Sequence, residues 1–271
     1  MATIYREGST DREMNKRIQK VVGVSADGVW GPKTTAAVKA WQKAHLLQAD
    51  GLVGPATLAA MGLSEDAGRQ TATTEGITIT KAPINQHITR CQNRPIRYIA
   101  IHYTAGSTSG EGAAMRNRNV FLKRAASADF CVDDKTIIQV NPDLKNYYCW
   151  SVGDKKNPWT GGGRLNGKAV NKNTISIEIC SNLKQGASAS AANHEGWYFT
   201  YKSLENARKL VKYLMKTYSI PKENVIRHYD VSGKLCPGVP GWNDGPLYTT
   251  NGVQTKEKND SMEWERFLAS L

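Results

Sequence analysis

The chain has 271 residues, 40% of them hydrophobic and 22% charged, enough apolar material for one large domain or two modest ones. Its net charge of +12 favours polyanionic partners, but the Lys and Arg residues are dispersed among acidic ones and form no block of the nucleic-acid type. No run approaches the ~20 consecutive apolar residues of a membrane-spanning helix, so neither nucleic-acid binding nor membrane insertion is expected.

The amino terminus, Met1-Ala2-Thr3-Ile4-Tyr5-Arg6-Glu7, lacks the charged-then-apolar run of a secretory signal, and synthesis in a cytosol is expected. The five cysteines (Cys91, Cys131, Cys149, Cys180 and Cys236) have no framework spacing and are expected to be thiols.

Residues 9–62 read as a unit. Thr10-Asp11-Arg12-Glu13 has the form of a capping box, and Met14, Ile18, Val21 and Val22 then make one apolar helical face closed by Gly23. Asp27-Gly28-Val29-Trp30-Gly31-Pro32 is repeated as Asp50-Gly51-Leu52-Val53-Gly54-Pro55. In each copy Asp-Gly makes a turn, and proline starts a helix where its missing N–H costs nothing. Trp30 and Trp41 read as core. A three-helix bundle with two matching loops is expected over residues 1–63. This segment resembles the peptidoglycan-binding type 1 domain, which implies wall binding beside the loops near Asp27 and Asp50. Turn chemistry alone accounts for most of those residues.

Residues 64–80 have no helical period and few apolar side chains, so a linker is expected there. The remainder, 81–271, alternates strand and helix patterns. Strands are expected at 97–104, at 128–140 as a pair joined by an Asp-Asp-Lys turn, at 174–180 and at 225–227. Helices are expected at 111–126, before Pro221, and at 262–268. The result is an α/β architecture, a mixed central sheet flanked by helices.

Three residues in this domain carry ligand chemistry. His102 ends the apolar strand Tyr98-Ile99-Ala100-Ile101-His102, and His228 and Cys236 lie in Arg227-His228-Tyr229-Asp230-Val231-Ser232-Gly233-Lys234-Leu235-Cys236-Pro237. Taken singly, a histidine or cysteine is usually a structural residue. Two imidazoles and a thiolate together suit Zn²⁺, and three protein ligands leave a fourth position open, the arrangement of a catalytic site.

These segments resemble the type 2 N-acetylmuramoyl-L-alanine amidases, the zinc amidase family that also contains the peptidoglycan-recognition proteins. The resemblance runs from about Ile96 to about Pro237 and implies that His102, His228 and Cys236 bind zinc. It also implies catalytic roles for two further residues. Glu178 lies in Ile175-Ser176-Ile177-Glu178-Ile179-Cys180, where alternation alone would turn it to solvent; the resemblance makes it the general base. Lys234, two residues before the cysteine, would stabilise the oxyanion. Some phage-type relatives use a tyrosine where this chain has Ala128 and Asp129, which puts more weight on Glu178 and leaves Asp129 without a role. The segments 159–170 and 184–197 read as insertions over the cleft, and His194 is left without a place or a role.

The expected activity is zinc-dependent cleavage of the N-acetylmuramic acid–L-alanine amide by a monomer whose partner is bacterial peptidoglycan. A phage endolysin released through a holin is the expected setting, and a bacterial autolysin would share every motif. A non-catalytic recognition protein would lack the cysteine ligand, and a DNA-binding protein would bind duplex with steep salt dependence.

Overall fold

The computed structural model describes residues 4–63, 70–74, 76–106, 112–155, 157–187, 191–249 and 252–271. The chain divides into two compact units, Met1–Gln70 and Thr71–Leu271.

The first unit contains helices Arg12–Val21, Pro32–Ala44 and Pro55–Ala60. Its cap differs by one residue from the expected box: Asp11, not Thr10, accepts the Met14 N–H at 3.0 Å. A carboxylate one residue nearer the helix reaches the same orphan donors and takes the cap. Tyr5, Met14, Ile18, Trp30, Val38, Val53, Leu58 and Met61 form the core.

The repeat is also a hydrogen-bond repeat. Buried Gln19 donates to Asp27 Oδ1 (2.9 Å) and to the Val29 carbonyl (2.9 Å), and accepts from Gly28 N–H (2.8 Å). Gln42 does the same with Asp50 (3.0 Å), Leu52 (2.8 Å) and Gly51 (2.9 Å). Gly28 has φ +80° and Gly51 φ +78°, and a Cβ at Gly28 would lie 2.8 Å from the Arg12 carbonyl oxygen. Both loops therefore need glycine.

The second unit is built on a seven-stranded sheet. In order across it lie Gln70–Thr74, Ile77–Lys81, Ile137–Gln139, Phe130–Val132, Thr174–Ile179, Tyr98–Tyr103 and Val225–Arg227. The Tyr98–Tyr103 strand pairs in parallel with both Thr174–Ile179 and Val225–Arg227, while Phe130–Val132 and Ile137–Gln139 are antiparallel.

Of the expected linker, residues 64–69 and 75 lie outside the described residues, and the rest is largely strand. The few apolar side chains concealed a run of β-branched Thr and Ile in Ile77-Thr78-Ile79-Thr80, of which Ile77 and Ile79 turn into the core.

The face bearing Ile99, Ile101, Ile175, Ile177 and Ile179 is covered by Ala207, Leu210, Val211 and Leu214 of the helix Tyr201–Tyr218. The other face packs Cys131, Ile138 and Cys180 against Ala113 and Ala114 of the helix Ala113–Val120. That helix is shorter than the expected 111–126. Glu111 lies outside the described residues, and Val120 is exposed. Met262–Ala269 closes the chain as a helix. No helix among the described residues is long and apolar enough to cross a membrane.

Asp129 has a structural role. Its carboxylate is buried against Arg94 at 2.8 Å and also accepts from the Ser176 N–H at 2.8 Å and Asn141 Nδ2 at 2.6 Å.

Candidate metal centre

Parallel pairing sets His102 directly beside Glu178, and Cys131 flanks Glu178 on its other side. Both His102 and Glu178 lie near the carboxyl ends of their strands, where sheet rigidity meets loop variability. Val225–Arg227 runs on the far side of the His102 strand and delivers His228 as the first residue of a short helix, His228–Ser232. A turn of five residues is too short to show a helical period in the sequence. Its start is fixed by Asp230, which accepts the Arg227 N–H at 2.8 Å and pairs with the Arg227 guanidinium at 2.9 Å. Gly233, at φ +72°, ends it and turns the chain toward Cys236.

His102, His228 and Cys236 come together, their ligand atoms all within 4.8 Å of one another. Cys236 Sγ is 3.8 Å from His102 Nδ1, and the two imidazole centroids are 4.5 Å apart. Metal–ligand bonds of ~2.0–2.3 Å place the ligands of one tetrahedral ion roughly 3.3–3.8 Å apart; the Cys236–His102 edge matches that range, and the whole set, within 4.8 Å, lies within about 1 Å of it.

The electrostatics fit as well. Burial, with Lys234 nearby, pulls His228 down to about 4, and burial holds His102 well below its usual value, so both rings are neutral, the ligating form. Burial pushes the Cys236 thiol up, against the backbone N–H of Tyr103, so a thiolate here requires a cation beside it. His102 Nε2 and Glu178 Oε2 are buried without hydrogen-bond partners among the described residues. A donor set of this kind, short of positive charge and of partners, suits Zn²⁺.

Glu178 is half-buried, with Oε2 shielded from solvent. Its side of the strand faces the second core cluster, and desolvation raises its carboxyl to about 8. Lys234 is exposed yet close enough to bear electrostatically on both imidazoles and on Cys236.

Of the two expected insertions, the first is laced to the His228 helix. Gly163 N–H donates to Val231 C=O at 2.9 Å and Leu165 N–H to Asp230 C=O at 2.8 Å. In the second, residues 188–190 lie outside the described residues. His194, which the sequence leaves unplaced, is fully buried, its Nδ1 accepting the Gly196 N–H at 3.1 Å. Trp197, which packs into the main core, carries this segment inward. The Asp27 and Asp50 carboxylates of the first unit are engaged by their own loops, accepting from Val29 N–H and Leu52 N–H at 2.8 Å each. The sequence did not single out Tyr103 or the buried amides Asn193 and Asn243. Tyr103 follows His102 and stands edge-on to Trp197. An asparagine in a loop carries no periodic signal.

The family model described as N-acetylmuramoyl-L-alanine amidase matches residues 92–239, more than half of the chain, and the chain belongs to that family. Its members are typically zinc-dependent. A second model, described as a putative peptidoglycan binding domain, matches residues 12–61. The chain is 32% identical over 165 residues to the N-acetylmuramoyl-L-alanine amidase CwlH of Bacillus subtilis, covering 59% of this chain and 54% of that protein. It is 35% identical over 143 residues to the amidase XlyA of the same organism, covering 52% of this chain and 39% of that protein. The chain thus spans about half or less of the length of these curated relatives. Among solved structures, the catalytic domain of XlyA aligns with a TM-score of 0.48 at 24% identity, over 72% of this chain and 99% of that one.

Proposed function

We propose that this chain hydrolyses the amide between N-acetylmuramic acid and the L-alanine of the peptidoglycan stem. The observation that carries the reading is the convergence of His102, His228 and Cys236 beside Glu178, whose Oε2 is buried without a hydrogen-bond partner among the described residues. Family membership supports it.

In this reading the two imidazoles and the thiolate hold zinc. Bound there, the ion would supply Lewis acidity, polarising the scissile carbonyl and making water more acidic. Glu178 takes a proton from the attacking water at Oε2 and returns it to the leaving amine. A carboxyl raised to about 8 by burial suits the half that returns a proton to the leaving amine, while the half that takes one from water needs the carboxylate, which a cation held by the neighbouring ligands would favour. The Lys234 ammonium faces the charge that develops on the carbonyl oxygen. Residues 1–63 bind the wall through the loops near Asp27 and Asp50, raising the local concentration of bonds for residues 81–271. The setting we favour is bacteriolysis by a monomeric phage endolysin, made in the host cytoplasm and released to the wall through a holin.

Digestion of purified peptidoglycan, followed by mass spectrometry of the soluble fragments, tests the activity. Stem peptides with a free L-alanine amine should appear and should vanish after chelator treatment. Release of sugars still bearing their peptides would contradict the reading.

A further inference from the structure

Cys236 is the one candidate ligand that does not sit at the end of a strand, so something else must hold it. Two amides do so. Asn193 and Asn243, both fully buried, exchange reciprocal hydrogen bonds of 2.7 Å: each Nδ2 donates to the other's Oδ1. Asn243 Nδ2 also donates to the carbonyl of Pro237 at 2.7 Å, and the Asn193 N–H donates to the carbonyl of Gly238 at 2.7 Å. The carbonyls of the two residues after Cys236 are therefore each bonded to one member of the pair.

The pair is itself anchored. Asn193 Nδ2 donates to Pro246 C=O at 3.0 Å, Tyr248 N–H to Asn193 C=O at 3.0 Å, and Gly245 N–H to Asn243 Oδ1 at 2.9 Å. Asn193 has φ +57°, a left-handed conformation that asparagine tolerates better than most residues. There is no room for slack: a Cβ on Gly238 would lie 2.4 Å from the Tyr103 hydroxyl oxygen, and one on Gly245 would lie 2.2 Å from Leu235 Cδ2.

We infer that Asn193 and Asn243 form a paired-amide brace that fixes the Cys236 thiolate in its ligating position and so sets the metal affinity of the centre. They are positioning residues, since neither touches the ligand atoms, and the inference rests on the zinc reading given above. It assigns the segment around 193 a function, buttressing the cysteine loop from beneath. Groups that orient ligands from the second layer typically change metal affinity by about 10–100-fold when removed.

The test is zinc affinity by competition with a chromophoric chelator, together with the visible spectrum of the Co²⁺-substituted protein, which reports sulfur ligation directly. Asn243→Ala should bind zinc about 10–100-fold more weakly and lose intensity in the thiolate-to-cobalt band. Asn243→Asp keeps the acceptor for Gly245 N–H and loses the donor to Pro237, so it should show a similar loss. Asn141→Ala removes an equally buried amide bonded to Asp129 and Tyr147, and should lower stability while leaving affinity and spectrum unchanged. If Asn243→Ala fails to fold, Asn243→Asp and Asn193→Asp carry the comparison. Folded brace variants with wild-type affinity and spectrum would overturn the brace. A wild-type chain that binds no metal would instead overturn the reading of the centre itself.

Discussion

Glu178 and Lys234 make separable demands at the scale of single residues. Replacing Glu178 by Gln removes the proton acceptor while keeping the shape, and should lower kcat by about 10²–10⁴-fold with zinc content unchanged. Retention of more than a tenth of the rate would exclude it as the base. Lys234→Ala should lower kcat by about 10²–10³-fold without altering wall binding, as expected for a donor aimed at developing charge; a change confined to binding would reassign it. The imidazoles set a pH dependence. Both have folded values below the usual ~6.5, so between pH 6.5 and about 4 the unfolded chain binds protons that the folded one refuses. The metal-free protein should therefore lose stability as pH falls through that window and show no such contribution above it. Urea midpoints in chelator at pH 7 and 4.5 should fall more for wild type than for His228→Gln, and parallel shifts would remove these rings as the cause.

Scaled up to elements, the strands were readable where apolar β-branched runs lay between turn residues, as at Tyr98–Tyr103 and Thr174–Ile179. The cluster of candidate ligands was readable because His102 ends such a run and because His228 and Cys236 sit in one motif. The ties between distant segments were not. Arg94 and Asp129 are 35 positions apart, and Asn193 and Asn243 are 50 apart; nothing local in the chain announces either pair. The Arg94–Asp129 pair joins a loop to the two central strands, with both side chains fully buried. Arg94→Met would strand the carboxylate, costing about 3–5 kcal/mol in urea unfolding. Arg94→Met combined with Asp129→Leu should recover part of that loss. A single-variant cost below about 1 kcal/mol would mean the pair is hydrated and not structural.

For the whole molecule, two units with separate cores should unfold separately. Gln42→Ala strips the Asp50 loop of its buried hub and should lower one calorimetric transition by about 2–4 kcal/mol of stability while leaving the other in place. A common shift of both would mean that the units melt as one. The equivalent hub at Gln19, 23 positions earlier, was missed in the sequence because glutamine is ordinarily a surface residue.

The distance along the chain between His102 and Cys236 has a further consequence. They stand 134 positions apart, and all five cysteines are free thiols. An ion gripping both would tie together the two ends of that stretch and, held only by the folded chain, would stabilise it by RT ln(1 + c/Kd) at a free Zn²⁺ concentration c. A metal centre there would then double as a reversible staple, one that a thiol reductant cannot cut and a chelator can. Starving such a chain of metal would both silence it and expose it to proteases.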